Sequence, residues 1–284
     1  MGKDFQFECG ANLSIGEFFM KIIDAHLSFV PDSEYLSQLA IESGHQNSAE
    51  YLIKIYRDLG IERGIVMGTP SLEFKKYPRF LSYCVGLDNC EWKSQDWQKN
   101  LELIEKHLKN RECVGIKLYP GYWDFFIDDE SLAPIYKLAE KFNKPIAIHA
   151  GLTSNENFDV PIFCSPEVFR KAAEKFPNNR FVMCHFAQPL FRQAARLMKK
   201  FPNIATDLSG ILEGQMSVKS FDENYLWIFR DSLELIGDFD RIMFGTDFPL
   251  ANIQNCIEFV KSIVPESEWE KVFYYNAVKI YNLR

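Results

Sequence analysis

The sequence lacks the features that mark several classes of protein. No apolar run approaches the roughly 18 residues of a membrane-spanning helix, and no basic leader precedes an apolar segment at the start. The 32 Lys and Arg residues are outnumbered by 39 Asp and Glu residues, which gives a formal charge of −7. Because no stripe of basic residues stands out, a nucleic-acid partner is disfavoured. We therefore expect a chain that binds neither membranes nor nucleic acid.

Paired cysteine motifs are also missing. The 284 residues contain seven cysteines, an odd number, and none of them forms a C-x-x-C motif. Several lie inside apolar runs, as Cys84 and Cys184 do. This pattern predicts buried, reduced thiols and therefore a cytoplasmic protein.

What the sequence does contain is a regular alternation of short apolar runs and longer segments of helical period. The predicted strands are 21–28, 61–67, 80–87, 113–119, 145–150, 180–186, 203–209 and 240–246. The predicted helices are 48–59, 94–109, 130–142, 166–176, 189–200, 221–236, 251–263 and 267–282. Continuous apolar strands that alternate with helices indicate a parallel sheet covered by helices. Eight such units predict an α/β fold, the (β/α)8 TIM barrel.

Local signals place some boundaries. Ser165 followed by Pro166 is typical of a helix start, and Ser267 with Glu270 predicts a capping box that opens the last helix. We predict a single barrel domain over 20–284. Residues 1–19 are interpreted as an N-terminal extension, for which a short hairpin is one form.

Polar side chains recur at the ends of the predicted strands, where the active sites of parallel barrels form. Three of the five histidines lie there, His26, His149 and His185. The other polar strand-end residues are Lys117 on the fourth strand, Asp207 on the seventh and Asp247 on the eighth. Burying such groups without partners would be costly. Imidazole and carboxylate together suit Zn²⁺, and also Mn²⁺ or Fe²⁺.

The surroundings of these residues indicate a small-molecule site. Strand alternation puts Asp24 and Ser28 on the same face as His26. The loop after the fourth strand carries Tyr119, Tyr122 and Trp123. Aromatic side chains at a barrel mouth suit a flat or apolar ligand, although the loop could equally pack under its own rings.

The two remaining histidines are treated separately. His45 is predicted to lie in the first loop, where it could face the mouth. His107 is interpreted as a solvated helix residue.

The ordered set of motifs resembles the amidohydrolase superfamily, in particular the amidohydrolase-related (amidohydrolase 2) group of TIM-barrel metal-dependent hydrolases. That group includes aminocarboxymuconate-semialdehyde decarboxylase, γ-resorcylate decarboxylase and pyrone-dicarboxylate lactonase. The motifs are Asp24-x-His26, Gly115-Ile116-Lys117-Leu118, Ile148-His149-Ala150, His185, Phe244-Gly245-Thr246-Asp247-Phe248-Pro249 and Asn276-Ala277-x-x-Ile280-Tyr281-x-Leu283. The resemblance runs from about residue 20 to the end of the chain.

The resemblance implies one divalent metal ion, zinc or alternatively manganese, held by His26, His149 and Asp247. It implies that His185 is catalytic or a second ligand, and that Asp247 also shuttles a proton. Lys117 is then a catalytic or substrate-binding cation, and the wall formed by Tyr119, Tyr122, Trp123 and Ser28 binds substrate. Because family members often dimerise, a homodimer is also implied.

The first-strand motif departs from the family pattern Asp-x-His-x-His, because Ser28 stands where the second histidine would be. Three interpretations remain open. His26 could bind the metal while Ser28 or water fills the gap. Asp24 and His26 could together supply the ligands. The site could also have lost its metal, as in the lactonase branch.

The same residues serve several reactions. We predict hydrolysis of a small ester, lactone or amide, in which Asp247 takes a proton from water and His185 stabilises the developing oxyanion. The alternatives are a metal-dependent carboxy-lyase, a metal-free lactonase-like enzyme, and a barrel that binds a ligand without turnover.

Overall fold

A single eight-stranded parallel sheet forms the centre of the molecule in the computed structural model, which describes residues 20–153 and 160–283. The strands are β1 (Ile22–Leu27), β2 (Ile61–Pro70), β3 (Leu81–Leu87), β4 (Cys113–Leu118), β5 (Ile146–Ile148), β6 (Phe181–Met183), β7 (Ile204–Asp207) and β8 (Ile242–Met243). They pair in chain order. The sheet then closes on itself, because Ala25 N donates to Phe244 O at 3.0 Å and Leu27 pairs with Phe248. The predicted (β/α)8 barrel is confirmed.

Helices surround this barrel on the outside. They are α1 (Glu34–Glu42), α2 (Ala49–Leu59), α3 (Asn89–Lys93), α4 (Trp97–Lys109), α5 (Ala133–Lys141), α6 (Pro166–Lys175), α7 (Phe191–Lys200), α8 (Glu223–Ile236), α9 (Ile253–Ile263) and α10 (Asn276–Tyr281). Ser165 and Pro166 begin α6 as predicted. In the described part of the chain, no helix has the length and apolar character needed to cross a bilayer.

The predicted helices differ from the structure at α1, at α3 and at the end of the chain. Helix α1 was not predicted, because its mixed polar and apolar residues carry only a weak helical period. The last predicted helix is broken: a 3-10 turn at Glu266–Glu268 and a π-helical turn at Lys271–Tyr275 precede the short α10. Ser267 therefore forms no capping box. The predicted extension, residues 1–19, lies outside the described residues.

The barrel interior is filled rather than hollow. Inward-facing side chains such as Ile65, Cys84, Val182 and Met243 form one buried cluster with residues of α10. Among these, Tyr281 is 1% exposed. Because this packing closes the barrel centre, polar chemistry is confined to the opposite rim, where the carboxyl ends of the strands meet.

His107 is a buried packing residue and not the solvated one expected from the sequence. Its ring stacks on Phe74, with centroids 3.8 Å apart, and Nδ1 lies 2.9 Å from the Tyr83 hydroxyl. The residue is 1% exposed. The polar neighbours of His107 along α4 gave no sign that the loop after β2 folds over it.

Candidate active site

A cavity of about 560 Å³ opens at the carboxyl end of the barrel. Nine of the ten residues predicted from the sequence line it: His26, Ser28, Lys117, Tyr119, Tyr122, Trp123, His149, His185 and Asp247. Helix α1 contributes further apolar wall through Leu36 and Leu39. The volume lies in the range typical of small-molecule sites.

His26 lies between two carboxylates. Its Nδ1 is 3.0 Å from Oδ2 of Asp207, and its Nε2 is 3.6 Å from Oδ1 of Asp247. A carboxylate only accepts hydrogen bonds, so Nδ1 carries a proton and donates it to Asp207. Burial is the largest single influence and lowers the pKa of His26, but the charges of Asp207 and Cys184 and the hydrogen bond to Asp207 together raise that pKa to about 10. The ring is thereby fixed with Nε2 toward Asp247.

His149 has a single protonation pattern that fits its contacts. Nε2 lies 2.8 Å from the carbonyl oxygen of Leu152. A carbonyl is an acceptor, so Nε2 carries the proton and Nδ1 keeps a lone pair. Burial, with help from the Lys117 charge, lowers the pKa of His149 to about 3. The neutral imidazole is therefore the stable form at neutral pH.

His185 is fixed by Ser209. The Ser209 hydroxyl donates to Oδ1 of Asp207 at 2.5 Å, so it has no proton left for the histidine. His185 Nδ1, 2.9 Å from that hydroxyl oxygen and 3.2 Å from the Ser209 carbonyl, must then be the donor. Nε2 keeps a lone pair, and burial holds the pKa of His185 well below its usual value. In this state Nε2 of His185 can accept a hydrogen bond but has no proton to donate to an oxyanion.

Asp247 is held in an uncommon backbone conformation just after β8. Its φ is +56°, in the left-handed region that few non-glycine residues adopt. Among the described residues, the one ion-pair partner of its carboxylate is His26. Burial raises the pKa of Asp247. A carboxylate that receives no hydrogen bond from the described residues is suited to accept a proton or to bind a cation.

Lys117 supplies a buried cation at the floor of the cavity. Its side chain is 1% exposed, and Nζ donates to Sγ of Cys184 at 3.0 Å. The ammonium also lies 5.2 Å from the centre of the Tyr119 ring. Within the described residues it has no carboxylate within 4.0 Å. A polarised carbonyl or an anionic group of a ligand could therefore complete its surroundings.

Asp24 is the predicted site residue that does not line the cavity. Oδ1 accepts from the backbone N–H groups of His26 and Thr246, at 3.2 and 3.0 Å. Oδ2 accepts from the Tyr56 hydroxyl at 2.8 Å and the Thr246 hydroxyl at 2.6 Å. All four lone-pair directions of the carboxylate are used. In this arrangement Asp24 braces β1 against the strand-end turn of β8, which argues against the interpretation that Asp24 and His26 jointly supply ligands.

The donor set around the cavity fits a divalent transition metal in chemistry. His26, His149 and His185 each hold one ring nitrogen in a hydrogen bond, which is the usual arrangement behind a ligating imidazole, and Asp247 adds a carboxylate. In the structure, the donor atoms of these four residues do not lie close enough together to form a complete coordination shell. Among the described residues, the one three-member group within 4.8 Å is His26, Cys184 and Asp207. That group already contains the His26–Asp207 hydrogen bond and lies beside the Lys117 ammonium, which repels a cation.

The aromatic residues form one wall of the cavity. The Tyr119 hydroxyl donates to the carbonyl of Gly68 at 2.5 Å, which fixes its ring. Tyr122 meets the ring of His149 edge-on at 4.9 Å and is 43% exposed. Trp123 and Ser28 are partly buried beside them. These rings face the cavity rather than packing only against one another.

His45 does not face the mouth. Its Nε2 accepts from the backbone N–H of Ile253 at the start of α9, and Nδ1 lies 2.8 Å from the Tyr51 hydroxyl. Because Nε2 accepts, Nδ1 is the donor. His45 is 6% exposed and ties the loop after α1 to α9.

This contact predicts a pH-dependent stability. Burial lowers the pKa of His45 to about 4 from the usual value of 6.5. The stabilisation is complete above pH 6.5 and is lost as the pH falls toward 4, because protonation removes the acceptor. We expect a loss of about 2 kcal/mol in the free energy of unfolding over this interval. Urea titrations at pH 7 and pH 4.5 measure it, and His45→Asn should lose less; equal losses would contradict the assignment.

A barrel whose carboxyl-end cavity collects histidines, an aspartate and a lysine has the architecture of a TIM-barrel enzyme. The chain belongs to the amidohydrolase family, because the family model described as Amidohydrolase matches residues 94–283. The family predicted from the sequence motifs is confirmed, and with it the prediction of an enzyme. Members of this family typically depend on a metal and act on small molecules.

Known proteins similar to this chain agree with that assignment. Protein fluG of Emericella nidulans is 30% identical over 106 residues, which are 37% of this chain and 11% of fluG, so the chain spans about a tenth of that relative. The 2,6-dihydroxybenzoate decarboxylase from Rhizobium superposes with a TM-score of 0.66, 16% identity and coverage of 93% and 99%. A zinc-bound amidohydrolase from Burkholderia multivorans superposes with a TM-score of 0.61 and 13% identity, and the match covers 93% of this chain and 100% of that one. At such identities, the structural similarities show the fold.

Proposed function

We propose that this protein hydrolyses a small ester, lactone or amide at a site that holds one divalent metal ion. The observation that carries the proposal is the convergence of lone pairs in one cavity. Nδ1 of His149 and Nε2 of His185 are unprotonated, and Asp247 has His26 as its single ion-pair partner. Such a set is costly to bury unless a cation or a reacting water completes it.

We infer that His26, His149 and Asp247 hold the ion, with His185 beside them. Zinc is the metal that best suits imidazole and carboxylate donors, and manganese is the second choice. A zinc-bound amidohydrolase among the similar structures supports this choice. When bound, the ion supplies Lewis acidity and lowers the pKa of water. Ser28 lines the cavity where a second imidazole would otherwise bind, so we place the open coordination position of the ion beside Ser28.

The chain's own residues carry the proton and bind the substrate. Asp247 accepts a proton from the attacking water, because burial raises its pKa and makes the carboxylate a stronger base than an exposed one. His185 accepts a hydrogen bond at Nε2 and orients that water. Lys117 polarises the substrate carbonyl from the floor. Tyr119, Tyr122 and Trp123 hold the body of the substrate against one wall.

One observation favours a second candidate, a carboxy-lyase. The Lys117 ammonium lies at the cavity floor with Cys184 as its hydrogen-bond partner, a position that also suits a substrate carboxylate. The decarboxylase from Rhizobium shares the fold. Decarboxylation needs a proton donor toward carbon, whereas His149 and His185 present lone pairs, so we rank it below hydrolysis.

A comparison of product classes tests the proposal. Protein loaded with zinc or manganese is assayed on p-nitrophenyl acetate, dihydrocoumarin and dihydroxybenzoate. Ester hydrolysis, lactone ring opening and carbon dioxide release are measured separately. We expect hydrolysis of the ester or lactone that is lost in Asp247→Asn prepared in parallel. Carbon dioxide release without hydrolysis would replace the proposal by the carboxy-lyase. Hydrolysis that persists in Asp247→Asn would overturn the assigned site.

A further inference from the structure

Asp207, at the end of β7, accepts four hydrogen bonds beneath the cavity, and the proposed reaction assigns it no role. It is fully buried. Oδ2 accepts from Nδ1 of His26 at 3.0 Å. Oδ1 accepts from the backbone N–H of His185 at 3.0 Å, and from the hydroxyl and backbone N–H of Ser209 at 2.5 and 3.3 Å. One carboxylate thus contacts two strand-end histidines from different strands.

We propose that Asp207 is a positioning residue that sets which nitrogen of His26 carries the proton and holds the backbone turn of His185. The proposal deepens the proposed function and rests on it, because it explains how two of the histidines at the cavity are kept with a defined nitrogen toward the ligand. Asp207 does not line the cavity and touches no substrate. It acts through His26 and Ser209.

The two oxygens of Asp207 have unequal roles. Oδ1 receives three donors, two of them backbone N–H groups that cannot change direction. Oδ2 receives only His26 Nδ1. An asparagine at this position must therefore keep its oxygen on the Oδ1 side, because an amide NH2 there would meet three donors. The amide nitrogen is then forced to face His26.

This orientation predicts that the His26 ring changes to its other tautomer, with the proton on Nε2. The amide NH2 donates, so His26 Nδ1 must give up its proton and become the acceptor. The proton of the neutral ring then resides on Nε2, which is the nitrogen that points to Asp247. A metal ion that binds Nε2 displaces the proton there, and the neutral ring can then keep its other proton only on Nδ1, where the wild-type carboxylate accepts it but the amide NH2 opposes it. Asp207→Asn should therefore weaken metal binding while it preserves the shape of the buried side chain.

The second part of the role concerns His185. His185, Phe186 and Ala187 all have left-handed φ values, of 60°, 47° and 51°. A non-glycine residue in this region is strained and persists only where neighbouring contacts fix it. The Oδ1 contact to the His185 N–H is one of these contacts, and an asparagine oxygen preserves it. Asp207→Ala removes it, so only the alanine variant should disturb His185.

The test is ¹⁵N–¹H correlation NMR of the imidazole nitrogens in metal-free, full-length protein. We expect His26 Nδ1 to be protonated in the wild type and unprotonated in Asp207→Asn, with the His185 nitrogens unchanged. Asp207→Ala should alter the signals of both rings. The matched control is Asp24→Asn, which changes an equally buried carboxylate whose oxygens contact no imidazole nitrogen. It should destabilise the protein but leave the His26 Nδ1 proton in place.

Metal titration gives a second readout. Competition with a chromogenic zinc chelator should show zinc affinity reduced by about 10–100-fold in Asp207→Asn, the usual cost of losing a partner behind a ligating histidine, and less change in Asp24→Asn. An unchanged His26 Nδ1 proton in a folded Asp207→Asn protein would overturn the proposal. A changed His26 tautomer with unchanged zinc affinity would keep the positioning role and overturn His26 as a ligand, which is a failure of the proposed function instead.

Discussion

Replacing Asp247 with asparagine is expected to lower kcat/KM by about 10²–10⁴-fold, the range lost when a general base is removed. Asparagine preserves the size of the side chain and tolerates the left-handed backbone that this position requires, at φ +56°. The loss should therefore reflect chemistry rather than unfolding. Steady-state kinetics measure it, and thermal unfolding in parallel checks the fold.

The control for this variant is the pH profile. Because burial raises the pKa of Asp247, the wild-type rate should fall as the pH drops through that raised value, since the protonated carboxyl cannot accept a proton. The residual activity of Asp247→Asn should lack that limb. A reduction of less than tenfold, or the same acidic limb in the variant, would contradict the role of Asp247 as a base.

Gly210→Ala is the second variant with a large expected effect. Gly210 follows β7 with φ +64°, and a Cβ there would lie 2.6 Å from Nδ1 of His185 and 3.1 Å from Oδ2 of Asp247. The methyl group would push these two side chains apart. We expect kcat/KM to fall by about 100-fold, since a displacement near 1 Å in an active site has that cost.

Gly237→Ala is the matched control, because it isolates the backbone strain from the clash. Gly237 ends α8 with φ +95°, and a Cβ there would meet nothing within 4 Å. Both variants should lose about 1 kcal/mol of stability from the left-handed backbone, yet only Gly210→Ala should lose activity. Equal activity in the two variants would show that the space between His185 and Asp247 is not part of the site.

The sequence predicted the barrel well because strands buried on both faces leave a strong signal. Seven of the eight strands fall within the predicted ranges and β2 extends three residues beyond its range, although β5, β6 and β8 are only two or three residues long. Those short strands were found because their apolar runs continue into buried turns. Helix α1 was missed, and with it the apolar wall formed by Leu36 and Leu39, since its residues alternate too irregularly to indicate a buried face.

The candidate site could be predicted as a set of residues but not as a network. Strand-end position brought His26, His149, His185 and Asp247 together, because parallel strands end at one rim. The same rule could not show that Asp24 faces Thr246 and Tyr56 instead, as that depends on the turn after β8. The sequence also could not predict which ring nitrogen of each histidine carries the proton, because that follows from tertiary contacts to the Leu152 carbonyl, Ser209 and Asp207.

Ser28 is the residue through which experiment can decide whether the site binds a metal. It lines the cavity where the family motif places a second histidine. Because the Asp24 oxygens are already hydrogen-bonded, the two interpretations to separate are a metal site with an open coordination position beside Ser28 and a site that works through Lys117 without metal. Zinc titration of the wild type and of Ser28→His separates them, because a second imidazole should strengthen metal binding only if the site takes a metal.

The central claim is tested most directly by the metal content of the purified protein after incubation with zinc or manganese and removal of excess ion. We expect about one ion per chain in the wild type, loss of that ion in His26→Ala and in His149→Ala, and retention in His45→Asn, which removes a buried histidine outside the cavity. An absence of bound metal in the wild type, together with hydrolysis that a chelator does not inhibit, would contradict the account and assign the chemistry to Lys117, His185 and Asp247 alone.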